Sequence, residues 1–153
     1  MTVIRLKHER CAPSVAVMPF AEVYLRQGSA PEYRRNISAA ILHAMVEVLH
    51  IPDDDQFHVF HELSPDDLIY QPASFGIERG ERFMFIKLFF NHRSGEQKQA
   101  LFAALVDNLK AQAGVARDDV AIVVAETGSA NWWISGRVVN PVTGYDERMG
   151  PSH

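Results

Sequence analysis

The sequence predicts an α/β (α+β) protein: duplicated βαβ units forming a four-stranded sheet with two helices on one face. Two observations carry this. Four short runs rich in β-branched and aromatic residues alternate with two segments of helical periodicity, in the order strand, helix, strand, repeated once. Sliding the chain against itself by 64 residues then aligns Glu32 with Glu96, Ala39 and Ala40 with Ala103 and Ala104, Asp54 and Asp55 with Asp118 and Asp119, Val59 with Val123, and Glu62 with Glu126. An internal repeat of that length is one supersecondary unit used twice.

The first strand is "FAEVYLRQ", Phe20 to Gln27, short, aromatic and partly alternating. The helix that follows has Ser29 and Glu32 at capping-box spacing and Pro31 in its first turn, with Ile37, Ala40, Ile41, Ala44, Met45, Val48 and Leu49 at helical intervals until Pro52 stops it. "QFHVFHEL", Gln56 to Leu63, is the second strand, and a polar connection through Ser64, Pro65 and Pro72 leads to "RFMFIKLFF", Arg82 to Phe90. That third run is almost continuously apolar, as expected of a central strand covered on both faces.

A second capping box, Ser94 with Gln97, opens a helix that buries Leu101, Leu105 and Leu109, flanked by Phe102 and Val106, and Gly114 ends it. "AIVVAETG", Ala121 to Gly128, is the fourth strand; the tail from Asn131 to His153 shows no clear periodicity. Each helix crosses between parallel strands, which puts both helices on one face of the sheet. The other face, too apolar for water, is expected to be buried by copies of the chain in a symmetric oligomer.

With 153 residues and 47% apolar content the chain suits one domain with a substantial core, and disorder is excluded as its general state. Fifteen basic against nineteen acidic residues, net charge -4, argue against a nucleic-acid or anionic-membrane surface. No run approaches the roughly 20 apolar residues of a membrane helix. Cys11 is the lone cysteine, which excludes an intrachain disulfide and fits a reducing cytoplasm. Residues 1–18 are an N-terminal extension too short and broken by Pro13 for a secretory core, and are expected to reflect a start assigned upstream of Met18; residues 19–153 form the domain. His58 and His61, three apart on a strand, point to opposite faces, and His43 and His50 have no carboxylate or cysteine partner evident, so no metal site is expected.

On their own, the polar residues have plain structural readings. Pro19 opens a strand, Asp53 to Asp55 make a solvated turn, Arg93 is an exposed charge before a helix cap, and Trp132 and Trp133 are core or subunit-contact aromatics. Together they resemble the tautomerase superfamily, and within it the malonate semialdehyde decarboxylase branch. The resemblance covers roughly Pro19 to Arg137 and is carried by the "MPF" at Met18, "AMVEVLHIPDDDQF", "NHRSGEQK", "GVARDDV" and "NWW".

It implies a tautomerase (MIF-like) fold, a homotrimer with the sheets facing inward, and a catalytic N-terminal proline exposed by removal of Met18. It further implies Asp55 at a catalytic aspartate, Arg93 at a substrate-binding arginine and Trp132 at a pocket tryptophan. Two positions depart from the branch: Asn91 stands in place of a second arginine, and Ile134 in place of an aromatic wall. An amide cannot clamp a carboxylate as a second guanidinium does.

The chemistry suits the residue types. An α-amino group has an ordinary pKa of about 7.7 to 8.0, and burial against apolar or cationic neighbours lowers it, so a free Pro19 nitrogen can take and return a proton beside a carbonyl. Arg93 would hold the carboxylate of a small oxo-acid, Asp55 would orient water or substrate, and Trp132 would exclude solvent. No cofactor is required. Two readings follow: a cofactor-independent tautomerase or decarboxylase-like enzyme with Pro19 first in the chain, or a non-catalytic binding or structural trimer in which the extension keeps Pro19 an amide.

Overall fold

The computed structural model describes residues 19–134 and the backbone of 137 and 138. Strand β1 is Phe20–Arg26, helix α1 Pro31–Leu49, β2 His58–Leu63, β3 Ala73–Ser74, β4 Ile77–Glu78, β5 Met84–Phe90, α2 Gly95–Ala113, β6 Val120–Glu126, β7 Trp133–Ile134 and β8 Arg137–Val138. The main sheet has the order β2-β1-β5-β6. β1 and β2 are parallel, β5 and β6 are parallel, and the two units join through antiparallel β1 and β5. The duplicated architecture expected from the repeat is therefore the one observed. The β3–β4 and β7–β8 hairpins, two residues per strand, are too short to leave a periodic signal.

Both helices pack on the same face. Ala21, Val23 and Leu25 of β1 and Met84, Ile86, Leu88 and Phe90 of β5 meet Ile37, Ile41 and Met45 of α1 and Leu101, Leu105 and Leu109 of α2, all buried. An amide of α2, Asn108 Nδ2, donates to Ala40 O of α1 at 3.3 Å and locks the helices together. Alternation along β5 leaves Phe85, Lys87 and Phe89 half-buried on the opposite face, so this strand is covered on one face only within the chain. Phe20, Tyr24, Val59 and Val123 share that uncovered face, with Val59 40% and Val123 42% exposed.

The repeat is visible in side-chain bonding. Glu62 accepts from Ser29 N at 3.0 Å and pairs with Arg34 at 2.9 Å. One repeat later Glu126 accepts from Arg93 N at 3.3 Å and pairs with Lys98 at 2.7 Å. In each unit the glutamate ending the outer strand thus ties the exit of the inner strand to a cation on the helix.

That arrangement overturns the capping box expected at Ser29. The N-cap of α1 is Ala30, with no side-chain cap, because the Ser29 hydroxyl bonds Glu62 at 2.6 Å and accepts from Arg34 at 2.9 Å. Helix α1 also ends before Pro52: His50 turns the chain in the left-handed region at φ 55. The capping box of α2 is formed, Ser94 accepting from Gln97 N and Gln97 accepting from Ser94 N, and Gly114 closes that helix at φ 65. Ser94→Ala is expected to cost about 1 kcal/mol, a fall of about 3 °C in Tm by calorimetry.

Candidate active site

The strand register gathers the candidate residues at one end of the sheet. Ala21 lies opposite His58 and donates to Phe57 O at 2.9 Å, while Phe20 lies opposite Phe89. Pro19, one residue further out and buried, therefore sits between the entry to β2, which carries Asp55, and the exit of β5, which carries Asn91 and Arg93. Because β5 and β6 are parallel, Glu126 and the turn at Ser129–Asn131 come to the same end.

A cleft of about 510 Å³ opens there, lined by Asn91, His92, Arg93, Glu126 and Ser129 among others. It brings Asn91 and Arg93 together. Pro19 and Asp55 share the sheet end without lining the cleft; Trp132 follows the Ser129–Asn131 turn, and Ile134 lies in β7, both half-buried.

Arg93 is shaped by its own backbone: its Nη1 donates to His92 O at 2.8 Å and more weakly to Asn91 O at 3.5 Å. Burial lowers its pKa, and Glu126 opposes that shift. Glu126 is itself heavily engaged. The Lys98 ammonium at 2.7 Å and His92 Nδ1 at 2.8 Å pull its carboxyl down to about 2, with Arg93 N as a further donor. Asn91 is 8% exposed; its Nδ2 donates to Ser129 Oγ at 2.8 Å, while Oδ1 and Trp132 Nε1 are enclosed without a hydrogen-bond partner among the described residues. Ser129 was not singled out from the sequence, since a serine in a Gly-Ser turn carries no distinguishing pattern.

The two copies of the duplicated aspartate have diverged. Asp119 is buried and accepts from Gly80 N, and a side chain at Gly80 would meet its Oδ2 at 3.1 Å, so this copy is a structural clamp. Asp55 makes no side-chain hydrogen bond among the described residues. Its turn is closed by Asp55 N donating to Pro52 O at 3.2 Å, and burial, with Asp54 beside it, pushes its carboxyl up to about 6. A half-buried carboxylate without donors, titrating close to neutrality, is available to a ligand as Asp119 is not.

Next to it lies a polar trio that the sequence reading did not single out. Gln56 Nε2 donates to Ser38 Oγ at 2.8 Å, and Ser38 Oγ lies 2.7 Å from His58 Nδ1. Burial takes the His58 pKa down to about 4. The repeat holds the signal that could have found them: one unit later, positions 102, 120 and 122 are Phe, Val and Ile.

Comparison with known proteins agrees with this geometry. Two sequence-family models, both described as tautomerase enzyme, match residues 55–135 and 19–77. The probable tautomerase YusQ of Bacillus subtilis (strain 168) is 28% identical over 116 residues, which is 75% of this chain and 91% of YusQ. The crystal structure of FG41 malonate semialdehyde decarboxylase inhibited by 3-bromopropiolate superposes with a TM-score of 0.70 at 34% identity, covering 76% of this chain and 88% of that one. A solved structure described as a fused 4-OT wild type asymmetric trimer shares the fold, with a TM-score of 0.64 at 20% identity over 86% of this chain and 99% of its own. The duplicated βαβ sheet, the proline at its lip and the family match across more than half the chain lead to one conclusion: the chain belongs to the tautomerase family.

Proposed function

We propose that the protein is a cofactor-independent tautomerase-superfamily enzyme in which Pro19, as the N-terminal residue, transfers a proton on a small oxo-carboxylic acid. The reading is carried by one observation: the register brings Pro19, Asp55 and Arg93 to a common end of the sheet. A secondary amine in a buried setting, with a guanidinium at the same end of the sheet, has its pKa lowered from the ordinary range and can serve as a base at neutral pH. It removes a proton from the carbon beside the carbonyl, the electron pair moves to the carbonyl oxygen as an enol, and the proton returns at the other position. Arg93 holds the substrate carboxylate, Asp55 orients substrate or water, Asn91 lines the cleft, and Trp132 and Ile134, beyond the Ser129–Asn131 turn at its edge, shield it from solvent.

The likeness to FG41 malonate semialdehyde decarboxylase supports a decarboxylase-like variant of this chemistry. Asn91 in place of a second arginine favours tautomerisation of a singly charged acid. The test is a turnover screen against phenylpyruvate-type acids, malonate semialdehyde and halogenated acrylates, using chain made from Met18 and shown by intact mass to begin at Pro19. Turnover of an enolisable acid is expected; none with any of the three classes overturns the reading. In a chain that keeps residues 1–18, the Pro19 nitrogen is an amide without basicity, and the protein binds without transferring protons.

The uncovered sheet face, with Val59, Val123, Phe20 and Phe89 on it, supports assembly as a homotrimer, as does the fold shared with a trimeric fused 4-OT. Light scattering of the 153-residue chain is expected to give three times its 17.2 kDa mass. Val123→Glu, which sets a charge in that face, is expected to shift the mass to that of one chain; an unchanged trimer counts against this face as the contact.

A further inference from the structure

We propose that Ser38, Gln56 and His58 are positioning residues that hold the Asp55 turn in its working orientation, an inference resting on the role given to Asp55 above. Gln56 Nε2 donates to Ser38 Oγ at 2.8 Å, and Ser38 Oγ and His58 Nδ1 are hydrogen-bonded at 2.7 Å, with the serine hydroxyl as donor in the tautomer that carries its proton on Nε2. The chain of bonds runs from the residue after Asp55, through helix α1, to the first residue of β2, and so braces the turn against two rigid elements.

Folding does not explain the trio. At the equivalent places the second unit has Phe102, Val120 and Ile122 and still builds a helix and a parallel ladder, its strand starting at Val120 where β2 starts at His58. The Ser38–His58 bond is half-buried, and replacing both partners of such a bond with apolar groups of like shape costs little stability, so an apolar solution was open to the first unit as well. What differs between the units is the aspartate. Asp119 is oriented by a direct bond from Gly80 N, whereas Asp55 has only its backbone bond to Pro52 O. The trio supplies from outside the orientation that Gly80 supplies directly, and leaves the Asp55 carboxylate open. Burial keeps His58 uncharged, so the brace persists through the neutral range. Among the described residues, the charge that acts on Asp55 is that of Asp54 on its own turn.

The experiment places the second unit's residues into the first: Gln56→Val and His58→Ile, with Ser38→Ala as the smallest cut. Carboxyl-carbon NMR of the full chain follows the titration of Asp55 without requiring turnover, and kinetics are read on chain beginning at Pro19. In each variant Tm is expected to stay within about 3 °C, and the Asp55 midpoint to fall towards an ordinary carboxylate value as the turn opens to water. kcat is expected to drop about 10-fold with KM little changed. His58→Asn, whose Oδ1 takes the place of Nδ1, is expected to restore both. An unchanged Asp55 titration and unchanged kcat in Ser38→Ala and His58→Ile would overturn the proposal. If the parent chain turns over nothing, the enzyme reading fails separately, and the Asp55 titration still decides whether the trio positions it.

Discussion

Chain that begins at Pro19 is expected to turn over its oxo-acid about 10²- to 10⁴-fold faster than the 153-residue chain. The two differ at the reacting atom. When Met18 precedes it, the Pro19 nitrogen is a tertiary amide whose lone pair is delocalised into the carbonyl, and no protein environment makes it a base at neutral pH. Freed, it is a secondary amine whose ordinary basicity already lies near neutrality. Pro19→Ala in the short chain is expected to fall between the two, because a primary amine remains but the ring that fixes the direction of the lone pair is gone. The pH profile separates base loss from misfolding: kcat/KM of the short chain should climb about tenfold per pH unit until the amine is deprotonated and then level off. The long chain should lack that limb while melting at the same temperature. Equal activity in both chains would remove Pro19 as the base.

Much of this arrangement was legible in the sequence because duplication doubles every signal. Leu101, Leu105 and Leu109 recur at helical intervals and are the buried face of α2, and Ser94 and Gln97 form the capping box that their spacing promises. The same spacing at Ser29 and Glu32 failed. A capping box is a local pattern, and here a residue 33 positions away, Glu62, captured the serine hydroxyl first. The capture is itself part of the repeat, since Glu126 holds Arg93 N in the same way, but such a bond crosses strands and leaves no periodicity to read.

The candidate site rests on a family pattern: Pro19, Asp55, Arg93 and Asn91 are its positions in this chain, and the sheet register brings them to one end. Ser38 and Gln56 are ordinary alone, a serine on a helix and a glutamine before a strand, and His58 is read from the sequence only against a metal site. Their joint character appears only when the first unit is compared with Phe102, Val120 and Ile122 in the second. In a duplicated fold, positions where one copy is polar and the other apolar are those where folding demands nothing of the side chain.

Arg93→Ala is expected to weaken kcat/KM for a carboxylate substrate by roughly 100-fold, the equivalent of about 3 kcal/mol for a charge-assisted contact in a partly buried cleft. The fold should survive. Glu126, the acidic neighbour of Arg93, keeps Lys98 at 2.7 Å and His92 at 2.8 Å, so no carboxylate is left without its counter-charge. Arg93→Lys is expected to recover part of the loss, because an ammonium supplies the charge without the planar fork that grips both carboxylate oxygens. The decisive comparison is between the acid and its methyl ester. If Arg93 binds the carboxylate, the parent chain prefers the acid by about the factor lost in Arg93→Ala, and the variant treats acid and ester alike. If the variant slows both by the same factor, Arg93 acts on the shape of the Asn91–Ser94 turn through its bonds to His92 O and Asn91 O, and the anion must be held elsewhere. Asn91 sharpens the test: its neutral amide offers a carboxylate no charge to fall back on, so no second cation at that position can mask the loss.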